Sequence, residues 1–217
     1  MYNFHSHSLL SDGCLLPSEV AVRYLALGYK AIAITDHVDY SNIESVITSI
    51  LEFTKHWPKS SGIKIFSGIE LTHLPLEQFK PLAKYARQRG IKIIVAHGET
   101  LAEPVIKGTN RVALEADIDI LAHPGLISEE DAKLARKKEI FLEVTSRKGH
   151  SGTNRHVVEQ ALKAGARIVL NTDSHAPEDI IEPSQLIIIA RKSGLNLKEI
   201  DRICQDLSKF LVEKEVR

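Results

Sequence analysis

The chain has 217 residues, a length that suits one large domain or an α/β barrel built as a single unit. Lys+Arg and Asp+Glu are both 28, and a neutral balance without any basic-aromatic stretch counts against a nucleic-acid partner. Cys14 and Cys204 form no C-x-x-C pair, no apolar run approaches the ~18 residues of a membrane span, and no signal segment opens the chain, so the sequence reads as a cytoplasmic protein without a membrane partner.

The first predicted strand covers 2–7 and ends in His5-Ser6-His7. Strand side chains alternate faces, so both imidazoles point the same way. Ser11-Asp12-Gly13 follows, with Asp12 offering oxygen ligands and Gly13 permitting the tight turn that would bring it back. Cys14 reads as a small buried residue. Pro17 sits near the start of a helix that repeats Val20, Ala21, Tyr24 and Leu25 at a helical period. Further strands are predicted at 31–36, 63–69, 91–96, 118–122, 140–145 and 167–172. Four strands share one preamble, a glycine with a basic residue two positions later: Gly28-Tyr29-Lys30, Gly62-Ile63-Lys64, Gly90-Ile91-Lys92 and Gly165-Ala166-Arg167. Glycine ends helices because it enters the left-handed region without a Cβ penalty, and the short β-branched runs that follow read as buried parallel strands.

Other helices run from near Leu76 through Phe79, Leu82, Ala83 and Ala86 to Gly90, and through Val157, Val158, Ala161 and Leu162 to Gly165. Two more lie around 183–193 and 197–213, and 100–117 reads as loop plus one short helix through Val112, Leu114 and Ala116. Strand–helix alternation of this kind implies parallel strands, most simply closed as a barrel, with an open doubly wound sheet as the alternative. No G-x-G-x-x-G follows the first strand, so a dinucleotide site has no support. No linker or composition break divides residues 1–217, which read as one domain.

The strand ends carry the chemistry: His7; Thr35-Asp36-His37; Gly68-Ile69-Glu70; Ala96-His97-Gly98-Glu99; Ala122-His123-Pro124-Gly125; Thr145-Ser146-Arg147; Thr172-Asp173-Ser174-His175. In a barrel these ends converge on the face where active sites lie. Six of the ten histidines occupy such positions, and the remainder, His56, His73, His150 and His156, stand apart. His56 and His156 read as surface helix residues and His73 as a loop residue. Each piece alone has an ordinary alternative: H-x-H as a polar edge pair, His37 as a helix-cap neighbour, Glu70 as a solvated carboxylate, His97 as a loop residue, His123 as a turn start. Mixed imidazole and carboxylate donors suit Zn, Mn or Fe better than Mg or Ca alone. The sixth strand end is basic, and Arg147, Lys148 and His150 are candidates to grip a substrate phosphate, with a solvated basic loop as the alternative. Asn154-Arg155 opens the next helix, whose N-terminus could help bind that anion.

His5-Ser6-His7-Ser8-Leu9-Leu10-Ser11-Asp12-Gly13, Thr35-Asp36-His37, Glu70, His97, Ala122-His123-Pro124 and Asp173-Ser174-His175 resemble the motifs of the PHP (polymerase and histidinol phosphatase) superfamily, in order, over residues 5–175. The resemblance implies a distorted (β/α)7 TIM-like barrel of PHP type with a trinuclear site of two to three divalent metal ions. It implies that His5, His7, Glu70 and Asp173 hold one metal, that Glu70, His97 and His123 hold a second with Glu70 bridging, and that Asp12, His37 and His175 hold a third. Glu70, Asp173 and His175 would be catalytic, and a metal-bridging hydroxide would be the nucleophile. The implied activity is a hydrolase of phosphoric esters, most simply a phosphomonoesterase on a small phosphorylated metabolite such as histidinol phosphate. A phosphodiesterase or nuclease on short nucleic acids, and a non-catalytic PHP-fold subunit, are the alternatives.

Overall fold

Eight parallel strands form one sheet: β1 (Tyr2–Asn3), β2 (Ala31–Ile34), β3 (His37–Val38), β4 (Lys64–Leu71), β5 (Ile93–His97), β6 (Ile120–Ala122), β7 (Phe141–Thr145) and β8 (Ile168–Asn171). This computed structural model describes residues 1–216. The order is β1-β2-β4-β5-β6-β7-β8, and the short β3 pairs with β4 beyond the end of β2. The register steps upward around the sheet, with Ile34 beside Ser67, Glu70 beside Val95 and His97 beside Ala122. Residues just past β1 close the ring. Phe4 N–H donates to Asn171 Oδ1 at 2.8 Å, Asp173 N–H to the His5 carbonyl at 3.0 Å, and His7 N–H to the Ser174 carbonyl at 2.8 Å. The result is the nearly closed, seven-position parallel barrel that the sequence implies.

The helices are α1 (Pro17–Ala26), α2 (Ile43–His56), α3 (Phe79–Gln88), α4 (Thr109–Leu114), α5 (Glu129–Lys138), α6 (Asn154–Ala164), α7 (Pro183–Lys192) and α8 (Leu197–Val216). Their apolar stripes pack on the buried strands: Val46, Ile47 and Ile50 of α2 face β4, where Ile69 and Leu71 are fully buried. Three of these helices, α2, α4 and α5, escape the glycine rule, α4 ending on Glu115. α5 ends on Glu139, which takes the left-handed cap itself at φ 57°. α2 stops at Trp57-Pro58, so Gly62 (φ 87°) shapes a later turn rather than the helix end. The expected second strand is split where the Thr35 N–H turns to the Ser6 carbonyl.

α8 lies under the barrel at the start of the strands, where Phe210 meets Phe141 (centroids 5.1 Å apart) and Phe4 (6.4 Å). The opposite end is left for chemistry. Cys14 is exposed rather than buried: its neighbours Gly13 and Leu15 face inward, and the alternation turns the thiol outward. Gly13 is tight because a Cβ there would lie 2.6 Å from the His7 carbonyl. No described helix is long and apolar enough to cross a membrane.

Candidate metal centre

The carboxyl-terminal strand ends gather imidazoles and carboxylates into one buried cluster. Glu70, wholly buried on β4, is its hub. Its Oε2 lies 2.9 Å from His37 Nε2, 3.2 Å from His5 Nε2 and 3.5 Å from His7 Nε2, and its Oε1 lies 3.8 Å from His123 Nε2. Asp173 faces it: Oδ1 is 3.2 Å from His7 Nε2 and 3.5 Å from both His5 Nε2 and His175 Nδ1, and Oδ2 is 3.6 Å from His123 Nε2. Asp12 enters from the turn after His7, its Oδ2 3.3 Å from His175 Nε2.

The hydrogen bonds of three rings fix which nitrogen is free. His5 Nδ1 lies 2.8 Å from Glu143 Oε1, His97 Nδ1 3.0 Å from the Gly98 carbonyl, and His175 Nδ1 3.1 Å from the Asp173 carbonyl. Those oxygens only accept, so in each neutral ring the proton sits on Nδ1 and the Nε2 lone pair points away from it. Each of these lone pairs faces a carboxylate: Glu70 for His5, Glu103 for His97 and Asp12 for His175. Acceptor facing acceptor repels unless a proton or a metal cation lies between, and an imidazole anchored through Nδ1 is the usual metal ligand.

Burial sharpens the demand. His5 Nε2, both nitrogens of His7 and both carboxylate oxygens of Glu70 are buried without a well-formed hydrogen bond, a costly state unless something compensates. Burial pushes Glu70 upward, but His5 and His37 outweigh it and hold the carboxyl well below its usual range. Burial raises Asp173, and Glu70 and Glu143 add to that against the pull of His5. His7 falls well below the ordinary imidazole value through burial and its neighbours His37 and His175, and His123 does so through burial and His97. Asp12 resists partial burial and drops to about 2 beside His175 and His37. Donor sets His5-His7-Glu70, His5-His123-Asp173 and His7-Asp12-His37-His175 each lie within 4.8 Å. The residues fit a group of divalent cations.

Residues 2–194 match the PHP domain family model. The chain belongs to the PHP domain family. It is 41% identical over 218 residues to an uncharacterized protein of Methanocaldococcus jannaschii, covering 98% of this chain and 99% of that one. It is 27% identical to the DNA polymerase/3'-5' exonuclease PolX of Bacillus subtilis over 96% of this chain, which spans 40% of that protein's length. Among solved structures, the histidinol phosphate phosphatase of Lactococcus lactis, complexed with zinc, L-histidinol and phosphate, shares the fold at TM-score 0.64 and 18% identity, over 90% of this chain and 94% of that one.

Within this PHP site some sequence candidates land differently from expectation. His97 has its ring 4.5 Å from that of His123, but its Nε2 turns to Glu103 at 3.4 Å. Arg147, Lys148 and His150 do not form one basic patch. Arg147 Nη1 bonds Asp179 Oδ2 at 2.7 Å, Lys148 is exposed, and the buried His150 stacks on His123 at 4.3 Å. His150 and His73 therefore do not stand apart from the site; the His73 ring is 4.6 Å from that of His97. His56 is an exposed residue of α2, and His156 on α6 bonds the Ile127 carbonyl at 2.8 Å. The Asn154 side chain ties the Thr145 backbone, at 2.7 and 3.2 Å, rather than opening an anion site.

Sequence reasoning missed Glu143 and Glu103, and it picked out Asp36 in the Thr35-Asp36-His37 strand end without giving it a role. Glu143 is a lone carboxylate within the apolar run Phe141-Leu142-Glu143-Val144, a signal that was present. Asp36 accepts from Ser8 N–H (2.8 Å), Ser8 Oγ (2.7 Å) and Ser11 Oγ (2.7 Å), pinning the loop that carries His7 and Asp12. Glu103 sits in the loop after β5, held down to about 2 by His97, against the upward push of its partial burial. Among described non-glycine residues, positive φ occurs at His73, His123, Glu139 and Asp173, and all but Glu139 lie at this mouth, where such strain belongs to function.

Proposed function

We propose that this PHP-domain protein is a metal-dependent phosphoesterase, acting as a phosphomonoesterase on a small phosphorylated metabolite, histidinol phosphate or a similar compound. The observation that carries the reading is the set of Nδ1-anchored histidines whose Nε2 lone pairs face carboxylates at the barrel mouth, the buried Glu70 foremost. In this reading His5, His7, Glu70 and Asp173 hold one divalent ion, Glu70, His97 and His123 a second, and Asp12, His37 and His175 a third, with Zn, Mn or Fe as the metals. Such ions polarise phosphoryl oxygens and make a water nucleophilic near neutral pH. Glu70 supplies the negative charge that lets cations sit close together. Glu70, Asp173 and His175 are the catalytic groups of this reading through the ions they hold, and Asp173, a carboxylate with a second oxygen to spare, is the one we assign to proton transfer at the mouth. Arg147 and Lys148 on the β7 side, and His150 farther in beside His123, are the groups we assign to the phosphate. The histidinol phosphate phosphatase of L. lactis, with its zinc, L-histidinol and phosphate, supports this choice through fold alone.

A second reading, hydrolysis of phosphodiesters in short nucleic acids, draws on the similarity to the polymerase-associated exonuclease; the net charge of zero weighs against it. The deciding experiment is a screen of metal-loaded protein against histidinol phosphate, p-nitrophenyl phosphate, bis(p-nitrophenyl) phosphate and short oligonucleotides. Monoester turnover without diester turnover is expected. Diester or oligonucleotide cleavage alone would select the second reading, and metal binding with no turnover of any ester would select a non-catalytic PHP-fold protein.

A further inference from the structure

Past β4 the chain places His73 at φ 51°, a left-handed backbone that a residue with a side chain seldom adopts. That turn aims His73 Nε2 at Glu103 Oε2, 3.0 Å away. His97 presents its own Nε2 to the same oxygen at 3.4 Å. With the His97 proton committed to the Gly98 carbonyl, that contact in the neutral ring is lone pair against carboxylate. Three donors, from the loop after β4, the end of β5 and the loop after β5, thus lie within 4.8 Å of one another. Ligands 2.0–2.1 Å from zinc sit about 2.9 Å apart at a right angle and about 3.3–3.4 Å apart at the tetrahedral angle, and the His73–Glu103 and His97–Glu103 contacts, 3.0 and 3.4 Å, span that range.

The second oxygen of Glu103 has its own partner. Oε1 faces His150 Nε2 at 3.4 Å. Thr100 Oγ1 takes the Ala102 N–H at 3.2 Å and lies 2.7 Å from His150 Nδ1. If the hydroxyl proton goes to Nδ1, the His150 proton is left on Nε2, toward Glu103. A carboxylate held from behind by a hydrogen-bond donor is how a ligating carboxylate is oriented.

We propose that the metal held by His97 is also ligated by Glu103 and His73, with His150 orienting the Glu103 carboxylate. The loop after β5 would then be fastened over the mouth by the metal itself. This rests on the metal-centre reading above and goes beyond the ligand set that the PHP resemblance supplies.

The test strips the full-length protein with a chelator, reloads it with Zn2+ or Mn2+, and measures bound equivalents by elemental analysis and affinity by chelator competition. Wild type, Glu103→Ala and His73→Ala are compared. Both side chains are about two-fifths exposed, 41% for Glu103 and 45% for His73, so melting temperatures of the stripped proteins should agree and serve as the folding control. The expected result is loss of one equivalent, or at least tenfold weaker binding of one, in each variant, with the other equivalents kept. Cobalt(II) loading gives a second readout, since losing a ligand changes the visible spectrum. Wild-type protein that binds metal while both variants match it in stoichiometry, competition and spectrum would overturn this inference and leave the centre standing. Wild-type protein that takes up no metal would overturn both.

Discussion

Glu143 lies 2.8 Å from His5 Nδ1 and so commits the other nitrogen of that ring to the side where Glu70 stands, 3.2 Å away. The same carboxylate accepts from Asn171 Nδ2 at 2.8 Å and from the His123 backbone N–H at 3.1 Å. It therefore ties together β7, β8, the segment after β1 and the turn after β6. A carboxylate behind an imidazole fixes its tautomer and raises its basicity as a ligand. Glu143→Gln keeps the shape and removes the charge, so metal affinity should fall about 10–100-fold, read by chelator competition. Glu143→Ala should also lower stability, because it leaves buried donors unpaired at about 1–3 kcal/mol each. Unchanged competition in Glu143→Gln would show that the carboxylate only braces the barrel.

Glu70 stands within 3.8 Å of four imidazoles. A carboxylate spreads one negative charge over two oxygens with several lone pairs and can serve more than one cation at once, which a neutral imidazole cannot. Glu70→Gln is expected to lose at least one metal equivalent and nearly all turnover, with the fold retained. His97→Ala should be milder, since its Nε2 faces the separate carboxylate of Glu103. Elemental analysis beside turnover settles the comparison. Full metal content in Glu70→Gln with loss of metal in His97→Ala would refute the hub assignment.

Chelation should abolish turnover, and Mn or Zn should restore it. Melting temperature should fall with the metal, because a ligand bound only by the native state contributes RT ln(1 + [L]/Kd), about 2.7 kcal/mol at a hundredfold excess over Kd. The pH dependence of binding has a definite sign. In the metal-free protein, burial opposes protonation of His5, but Glu143, Asp173 and Glu70 outweigh it and raise its pKa well above the ordinary value; His37 is also raised, Glu70 outweighing its burial. Metal must displace those protons, so affinity should strengthen as pH rises through and above neutrality, with net proton release on binding. Calorimetry in buffers of different ionisation enthalpy measures that release. Metal uptake without it would mean that these rings are not ligands.

Arg147 is about a quarter exposed, and its partner Asp179 also accepts the backbone N–H groups of His175 and Ala176 at 3.0 Å each. The guanidinium is thus tied to the loop that carries His175, and in the proposed function its remaining N–H groups would meet the phosphate. Arg147→Ala should weaken monoester turnover by about 1.5–3 kcal/mol, as for a lost hydrogen bond to a charged group, with metal content unchanged. The diagnostic measurement is inhibition by inorganic phosphate. If phosphate inhibits the variant as well as wild type while its melting temperature drops, Arg147 acts only on the loop.

The barrel and the principal donors were legible because both announce themselves at the same places. A parallel strand that must be buried ends where polar residues resume, and that boundary is also the mouth of the barrel, so His7, Glu70, His97, His123 and Asp173 stand out in one dimension. What escaped is either masked or tertiary. α5 was hidden because Glu139 replaces glycine at the cap. Glu143 was hidden inside an apolar run, where the interior of a barrel accepts a polar group only if partners arrive from other strands. His73 and Glu103 are 30 residues apart, and no periodicity links two loops. His150 read as part of a basic loop because its stacking on His123 is set by how that loop folds inward.

The far end of the barrel gives a control. Asp119, just before β6, accepts the Ile94 N–H at 2.8 Å and pairs with Arg87 and with Lys214 of α8. Both Asp119 and Lys214 are nearly buried, and burial lowers the Lys214 pKa against the pull of Asp119. Removing one partner of a buried pair strands the other charge, which costs about 3–5 kcal/mol. Arg87 keeps a longer contact to Asp117 at 3.5 Å, so Asp119→Asn should fall at the low end, about 3 kcal/mol, or roughly 6–12 °C in melting temperature for a chain of this size. Metal content and turnover at room temperature should be unchanged, because stability and chemistry occupy opposite ends of such barrels. Adding Lys214→Met to Asp119→Asn should recover part of the loss, since the stranded amine is gone. A double variant as unstable as the sum of the two single changes would show that the pair is not coupled, and a change in metal content would show that the two ends of the barrel are.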